Sequence, residues 1–267
     1  MTPRARAVRW VRKCVGFGLA AAWLGVGAPR CPAAPATVTV AAASDLVFCL
    51  EALHAQYAGA RLTVSTGSSG NLFAQIRQGA PFDVFLSADM RYPRELIAAG
   101  EADPTSLTLY GIGRLVLWTT RTDLDLASLA ATLRHPQLRR FAIANPSHAP
   151  YGRAARELLE NTGVWIEIQP RLVLGENISQ TAQFIQTGSA DAGLVALSLV
   201  AAPALRGTGR WLEIPGHLHA PLEQGAVLTR RGAGNAAARD YLVFLRSPQA
   251  RAILDRFGFR LPAGVER

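Results

Sequence analysis

Three short segments carry hydroxyl groups or backbone N–H donors at points where a helix is expected to begin. They are Ala43-Ser44-Asp45, Gly67-Ser68-Ser69-Gly70 and Pro150-Tyr151-Gly152. The first turn of a helix has unpaired N–H groups and the positive end of the helix dipole, so each segment is suited to an anion. A Ser or Asp at one such position is also a common N-cap, which satisfies the same donors. Three segments of this kind together favour an anion-binding site.

Positive charge is almost absent from these segments. They contain no lysine, and the nearest arginine is Arg153, just after Tyr151. A fully ionised oxyanion such as molybdate, tungstate or sulfate has only acceptor oxygens, so neutral donors are sufficient to bind it. Hydrogen bonds to a charged group contribute about 1.5–3 kcal/mol each, and roughly five to seven of them support micromolar binding after ordering and desolvation. The predicted ligand is therefore a small tetrahedral dianion.

Asp45 does not fit this pattern of donors, because an ionised carboxylate only accepts hydrogen bonds and repels a dianion. One interpretation is that its side chain caps its own helix and that only its backbone N–H faces the ligand. The alternative is that Asp45 accepts a proton from a protonated oxyanion such as hydrogen phosphate. That alternative changes the ligand, and the sequence leaves it open.

Other chemical motifs are weak. The five histidines have no metal-ligand spacing except His217-x-His219, which lies in a Pro/Gly-rich stretch typical of a solvated loop. Residues 67–70 differ from the Gly-x-Ser-x-Gly elbow of hydrolases, and no His or Asp partner can be assigned to Ser44 or Ser69. A serine hydrolase is thus the lower-ranked alternative. We expect a binding protein that is not an enzyme and has no cofactor.

The first 36 residues predict a secretory signal peptide. Basic residues at positions 4–13 precede an apolar run at 15–26 that is short for a membrane span, and Ala34-Pro35-Ala36 is a small-residue cleavage signal. We expect cleavage after Ala36 and a periplasmic location. A retained N-terminal anchor is one alternative. Cys31 raises a lipid-anchored form as another, although the adjacent Arg30 makes a poor attachment site.

Loss of this leader changes the charge of the chain. Residues 1–36 hold six of the 28 Lys and Arg residues and none of the 19 Asp and Glu residues, so the formal net charge falls from +9 to +3. The basic excess that would indicate a nucleic-acid partner therefore disappears, and none is expected. Cys14 and Cys31 lie in the leader as well, which leaves Cys49 without a disulfide partner.

Short β-prone runs alternate with helical periodicity in the rest of the chain. Strands are predicted at 37–42, 61–65, 83–87, 115–119, 141–144, 171–174, 193–196 and 225–229. Helices are predicted at 46–57, 71–79, 93–99, 151–161, 179–186, 235–245 and 248–257. This alternation favours βαβ units and an α/β fold. Because the pattern restarts after residues 110–113, two lobes are expected, with a ligand in the cleft between them.

Five segments share their residues with a known family. They are residues 39–44, the Ser-Ser turn before Leu72, residues 79–89, residues 175–180, and Pro-Gln-Ala at 248–250 with Phe-Gly-Phe at 257–259. These segments resemble the periplasmic molybdate-binding proteins of ABC transporters, and residues 79–89, GAPFDVFLSAD, are the most specific part. The resemblance implies a two-lobed type II periplasmic binding fold with a mainly parallel sheet and flanking helices in each lobe. Lobe I is assigned residues 37–112 plus 225–267, and lobe II residues 113–224.

The resemblance also implies the ligand contacts. Ser44 and Ser69 match two first-lobe serines that donate their hydroxyl and backbone N–H groups. Tyr151 stands where many members have alanine and use only a backbone N–H, and Ile178 matches an aliphatic residue that donates its backbone N–H. Ala196 stands where members often have tyrosine, and Tyr151 is placed to supply a phenol from the opposite junction.

The function implied by the resemblance is capture of molybdate or tungstate and its delivery to the membrane permease of an ABC importer. Asp45 is included in the predicted contact set with the five residues above. All of these residues would contact the oxygens of the anion, so no direct metal ligand is expected. Another tetrahedral oxyanion, sulfate or phosphate, is the alternative ligand, and the protein is expected to be a monomer.

Overall fold

The structure of the chain, a computed structural model, describes residues 36–262. The predicted signal peptide, including Cys14 and Cys31, lies outside the described residues except for Ala36 at its end. Cys49 is buried, as expected of a cysteine on an apolar helix face. Across residues 36–262, no helix has the length and apolar character needed to cross a membrane.

Strands and α-helices alternate along the described residues. The strands are β1 (Thr37–Ala43), β2 (Arg61–Gly67), β3 (Val84–Ser87), β4 (Thr108–Gly113), β5 (Leu115–Thr119), β6 (Phe141–Ala144), β7 (Leu172–Gly175), β8 (Ala192–Ala196), β9 (Arg210–Glu213) and β10 (Leu222–Leu228). The helices are α1 (Val47–His54), α2 (Ser69–Arg77), α3 (Arg91–Ala98), α4 (Leu129–Leu133), α5 (Pro150–Asn161), α6 (Trp165–Ile168), α7 (Ile178–Gln186), α8 (Leu197–Val200), α9 (Ala236–Leu245) and α10 (Pro248–Arg256).

The strands form two five-stranded sheets, one in each lobe. Their orders are β2-β1-β3-β10-β4 and β7-β6-β8-β5-β9. In each sheet four strands point the same way and one runs against them, β10 in the first sheet and β5 in the second. The sheets are therefore mixed but mainly parallel in direction, and the predicted two-lobed α/β fold is confirmed.

Each strand that runs against its neighbours is the first strand that the chain enters after crossing from one lobe to the other. β4 passes through Arg114 directly into β5, and the chain returns from β9 into β10. The Arg114 guanidinium donates to Glu213 at the end of β9, and Arg260 donates to the same carboxylate at 3.0 Å. Hydrogen bonding and charge from Arg114, with a smaller contribution from Arg260, lower the pKa of Glu213. Both crossings are thus held by one ion cluster.

The strands beside these crossings are where sequence and structure differ most. The sequence predicts no strand over β4 or β9, and β10 begins at Leu222 rather than at residue 225. Gly111 and Gly113 lower the β propensity of β4. The pairing of β10 with β4 also shifts register between Gln224 and Gly225, which breaks the period-two pattern. The predicted division of residues between the lobes stays a prediction.

Apolar side chains fill both lobes. β3 and β6, with sequences VFLS and FAIA, are buried along their whole length, as expected of strands covered by helices on both faces. In lobe I, the two faces of the sheet have separate clusters around Val40 and Phe85. In lobe II, one cluster around Trp118 and Phe141 includes the start of α5. These cores fix the strand ends and helix starts that meet at the cleft.

Candidate anion-binding site

A small cavity lies where strand ends and helix starts of both lobes meet. Lobe I contributes the 3-10 turn Ser44–Leu46 after β1 and the start of α2, and lobe II contributes the starts of α5 and α7. Its lining is Ala43, Ser44, Asp45, Gly67, Ser68, Ser69, Ala88, Ala149, Pro150, Tyr151 and Ile178. No Arg, Lys or His is part of this lining. A ligand here would meet neutral donors and one carboxyl group.

The two predicted serines of lobe I both line this cavity. Ser69 is fully buried, and its hydroxyl oxygen accepts a hydrogen bond of 2.9 Å from the Ala88 N–H. Its own hydroxyl proton therefore remains available to an acceptor in the cavity. The preceding Ser68 caps α2 by accepting from Asn71 N–H, which leaves the Ser69 N–H without an acceptor among the described residues. Ser44 is 4% exposed and begins the turn after β1.

The helix starts of lobe II provide backbone donors. Asn177 caps α7 by accepting from Gln180 N–H at 3.0 Å, so the Ile178 N–H has no described acceptor. α5 has no side-chain cap, and its first residue, Pro150, lacks an N–H. The Tyr151 N–H is consequently the first donor of α5. Gly152 lets α5 approach the end of β6, because a Cβ there would overlap the backbone of Ala144.

Asp45 and Tyr151 meet across the cleft. The Tyr151 hydroxyl donates to Asp45 Oδ2 at 3.1 Å. The interpretation that the Asp45 carboxylate caps its own helix is therefore wrong, since the turn that it belongs to has no side-chain cap. The carboxyl group is instead turned toward lobe II, and Ser198 donates to the Asp45 carbonyl at 2.7 Å. The Tyr151 phenol, predicted as a ligand donor, has its proton directed at Asp45.

Burial sets the acidity of Asp45. The side chain is 1% exposed, and burial raises its pKa from an ordinary value of 3.8 to about 7. The hydrogen bond from Tyr151 opposes this rise, as do the nearby Asp45 N–H and the nearby Gln224 amide, whose Nε2 has no hydrogen-bond partner among the described residues. Asp45 Oδ1 has no hydrogen-bond partner among the described residues. The side-chain carbonyl oxygen of Gln224 accepts a hydrogen bond of 3.0 Å from the Tyr110 hydroxyl, which links strands β4 and β10 to the cleft.

Other contacts between the lobes surround the cavity. His148, just before α5, accepts from the Gly70 N–H through its carbonyl at 2.9 Å, and its Nδ1 is hydrogen-bonded to Ser68 Oγ at 2.8 Å. Arg153 forms an ion pair with Asp89 of lobe I. The Arg153 charge is thus committed to Asp89 rather than to the cavity. The lobes touch on several sides of the cavity, so the structure represents a closed form.

The structure places most predicted contacts together, with one exception. Ser44, Asp45, Ser69, Tyr151 and Ile178 all line the cavity. Ala196 ends β8, pairs with a residue of β5 and is fully buried away from the lining.

Two residues that the sequence argument missed are Tyr110 and Gln224. Both are buried polar side chains beside Asp45. An amide in the apolar strand LEQGAVL was the available signal for Gln224. Within the described residues, no group of three His, Cys, Asp or Glu side chains is arranged to hold a metal ion.

Two mixed α/β lobes joined by crossing strands, with donors gathered in the cleft, define a ligand-capturing binding protein. A family model for bacterial extracellular solute-binding proteins matches residues 38–260, and the chain belongs to this family. The family resemblance expected from the sequence is confirmed.

Two relatives with more than 30% identity are molybdate-binding proteins by name. ModA of Rhodobacter capsulatus is 42% identical over 211 residues, which cover 78% of this chain and 81% of that protein. ModA of Azotobacter vinelandii is 34% identical over 241 residues, covering 89% and 95%. The solved structure of the Azotobacter vinelandii periplasmic molybdate-binding protein has a TM-score of 0.79 and 34% identity, and covers 84% of this chain and 99% of its own.

Replacement of Asp45 by asparagine tests the burial of its charge. Because the folded-state pKa lies above the ordinary value, the carboxyl contributes most to stability at low pH and loses that contribution as pH rises toward 7. We expect Asp45→Asn to raise the free energy of unfolding by about 2–4 kcal/mol at about pH 8 and by much less near pH 4. Urea denaturation at the two pH values measures this. The exposed Asp240→Asn is the control, and an equal gain at both pH values would contradict the assignment.

Proposed function

We propose that this chain captures molybdate, or the similar tungstate, in the periplasm and delivers it to the membrane permease of an ABC importer. We also propose that residues 1–36 are removed as a signal peptide and that the protein works as a monomer without enzymatic activity. The observation that carries the proposal is the cavity itself, where unpaired N–H and O–H donors converge from both lobes without a cation. The names of the related proteins support the choice of ligand.

The donors suit a tetrahedral dianion. In the proposed complex, Ser44 and Ser69 donate from lobe I through hydroxyl groups, and Ser69 also donates through its backbone N–H. Tyr151 and Ile178 donate backbone N–H groups from lobe II, at the positive ends of α5 and α7. Charge-assisted hydrogen bonds of this kind contribute about 1.5–3 kcal/mol each. Ala196 is left out of the proposed contact set because it does not line the cavity.

Closure of the two lobes couples binding to transport. The ligand would be enclosed by donors from both lobes, so it binds the closed form with more contacts than an open one. That difference in affinity shifts the population toward the closed form, which is the form we propose the permease recognises. The crossings through Arg114 and between β9 and β10 are the places where we propose that the lobes hinge.

The serine hydroxyls provide a direct test of the contact set. Ser44→Ala and Ser69→Ala each remove one donor to a charged ligand, and each is expected to weaken molybdate binding about tenfold or more. Isothermal titration calorimetry measures the dissociation constants. Ser189→Ala is a matched control, because Ser189 does not line the cavity and, within residues 36–262, its hydroxyl is hydrogen-bonded only to that of Thr187. Unchanged affinity in both site variants would remove Ser44 and Ser69 from the contact set.

Gly70 tests whether closure is needed for binding. A Cβ at Gly70 would lie 2.5 Å from the His148 carbonyl oxygen of lobe II, so alanine opposes closure without touching the ligand. The Cβ would also lie 2.7 Å from the Tyr92 hydroxyl of lobe I, so that side chain must shift, and the higher helix propensity of alanine offsets only part of this cost. We expect Gly70→Ala to weaken molybdate binding at least about tenfold while the unliganded protein stays folded, with only a small fall in its melting temperature. Gly234→Ala is the control, since a Cβ there meets nothing within 4 Å.

Hydrogen phosphate is the second candidate ligand, and one observation favours it. Asp45 lines the cavity with an unpaired oxygen, and an ionised carboxylate can accept the proton of a protonated oxyanion. Titration with molybdate, tungstate, sulfate and phosphate separates the candidates. Our proposal expects molybdate and tungstate to bind most tightly. If phosphate binds more tightly than molybdate, and Asp45→Asn abolishes that binding, phosphate would be the ligand in place of molybdate.

A further inference from the structure

We propose that the Asp45 carboxyl group carries a proton when the site is filled, so that the protein takes up one proton with each divalent oxyanion wherever Asp45 is ionised in the empty site. This inference rests on the proposed function and deepens it, because it assigns how the site balances the charge of its ligand. The protonated Asp45 carboxyl group then donates a hydrogen bond, whereas an ionised carboxylate could only accept one. The proton comes from solvent, and no bond of the oxyanion is broken.

The surroundings of the carboxyl group do not suit a charge beside a dianion. Asp45 lines the cavity and is 1% exposed, so water does not screen it. An ionised carboxylate has about four acceptor positions. Here Oδ2 accepts one hydrogen bond from the neutral Tyr151 hydroxyl, and Oδ1 has no partner in the described part of the chain. A protonated carboxyl group needs fewer donors and gains one O–H of its own.

The neighbouring elements supply no positive charge to Asp45. Its titratable neighbours are Cys49 on α1, Tyr110 on β4 and Tyr151 on α5, and all three are neutral at neutral pH because burial raises the pKa of each. α7 and α8, which also pack on the turn of Asp45, have no titratable side chain. Arg153, on α5 beside the cleft, is paired with Asp89. A proton is therefore the available counter-charge.

The unliganded site can hold either form of the carboxyl group. Burial favours the protonated form and leaves the pKa of Asp45 near 7, while the hydrogen bond from Tyr151 and the nearby Gln224 amide favour the ionised form. A dianion in the same cavity adds a repulsion that only the ionised form feels, so the pKa rises on binding. Binding at about pH 8 then requires proton uptake, whereas at about pH 6 the proton is already present.

Calorimetry in buffers of different ionisation enthalpy measures the proton directly. The protein lacking residues 1–36 is titrated with molybdate at about pH 6 and at about pH 8. The expected result is uptake of most of one proton at about pH 8 and of little at about pH 6, with affinity falling up to tenfold per pH unit above 7. Asp45→Asn should show no uptake and no change of affinity with pH. Asp240→Asn, exposed on α9, should behave like the wild type.

A second variant covers the case in which Asp45→Asn fails to fold. Tyr151→Phe keeps the ring and the backbone N–H but removes the donor that favours the ionised carboxyl group, so the fall in affinity should begin at higher pH. Wild-type binding with no proton uptake and flat affinity would overturn the inference but leave the proposed function intact. Proton uptake that persists in Asp45→Asn would show that a group other than Asp45 carries the proton. Failure of the wild type to bind molybdate or tungstate at any pH would instead overturn the proposed function.

Discussion

A doubly charged ligand without a cationic partner must be held by many neutral donors, and this requirement accounts for much of the architecture around the cleft. Folded chains rarely leave N–H groups unpaired except at the first turns of helices. A parallel arrangement of strands, each followed by a helix, brings several of those turns to one sheet edge. Two such edges face each other here, one from each lobe. The donors of Ser69, Tyr151 and Ile178 reach one cavity because of this arrangement.

Enclosing the donors also requires the two backbones to come close together. Gly70 and Gly152 stand at places where a side chain would meet backbone, the first against lobe II and the second against the end of β6. His148 then joins the lobes through both its carbonyl and its ring. Most residues that line the cavity are small. Because the site is buried, the low local dielectric strengthens the hydrogen bonds made inside it.

Most of this arrangement could be predicted from local sequence, because strand runs, N-caps and first-turn donors are encoded within a few residues. The positions of Ser44, Ser69, Tyr151 and Ile178 follow from such patterns. The partners of Asp45 could not be found in that way. Tyr151 lies 106 positions away, and a nearby N-cap role was an equally good local explanation for the carboxylate. Strands β4 and β9 were missed because glycine or short length hides strands whose pairing is set by distant segments.

Gly113 stands on the crossing strand β4 and faces the hydroxyl of Tyr151, with no room for a Cβ between them. The two positions are therefore not independent in evolution. A relative with a small residue at position 151 is free to accept a side chain at position 113, whereas one that keeps tyrosine is held to glycine. Substitution at the two positions should be correlated among relatives, and the order of change is constrained. A tyrosine at position 151 keeps its hydroxyl in the place seen here only when position 113 is glycine.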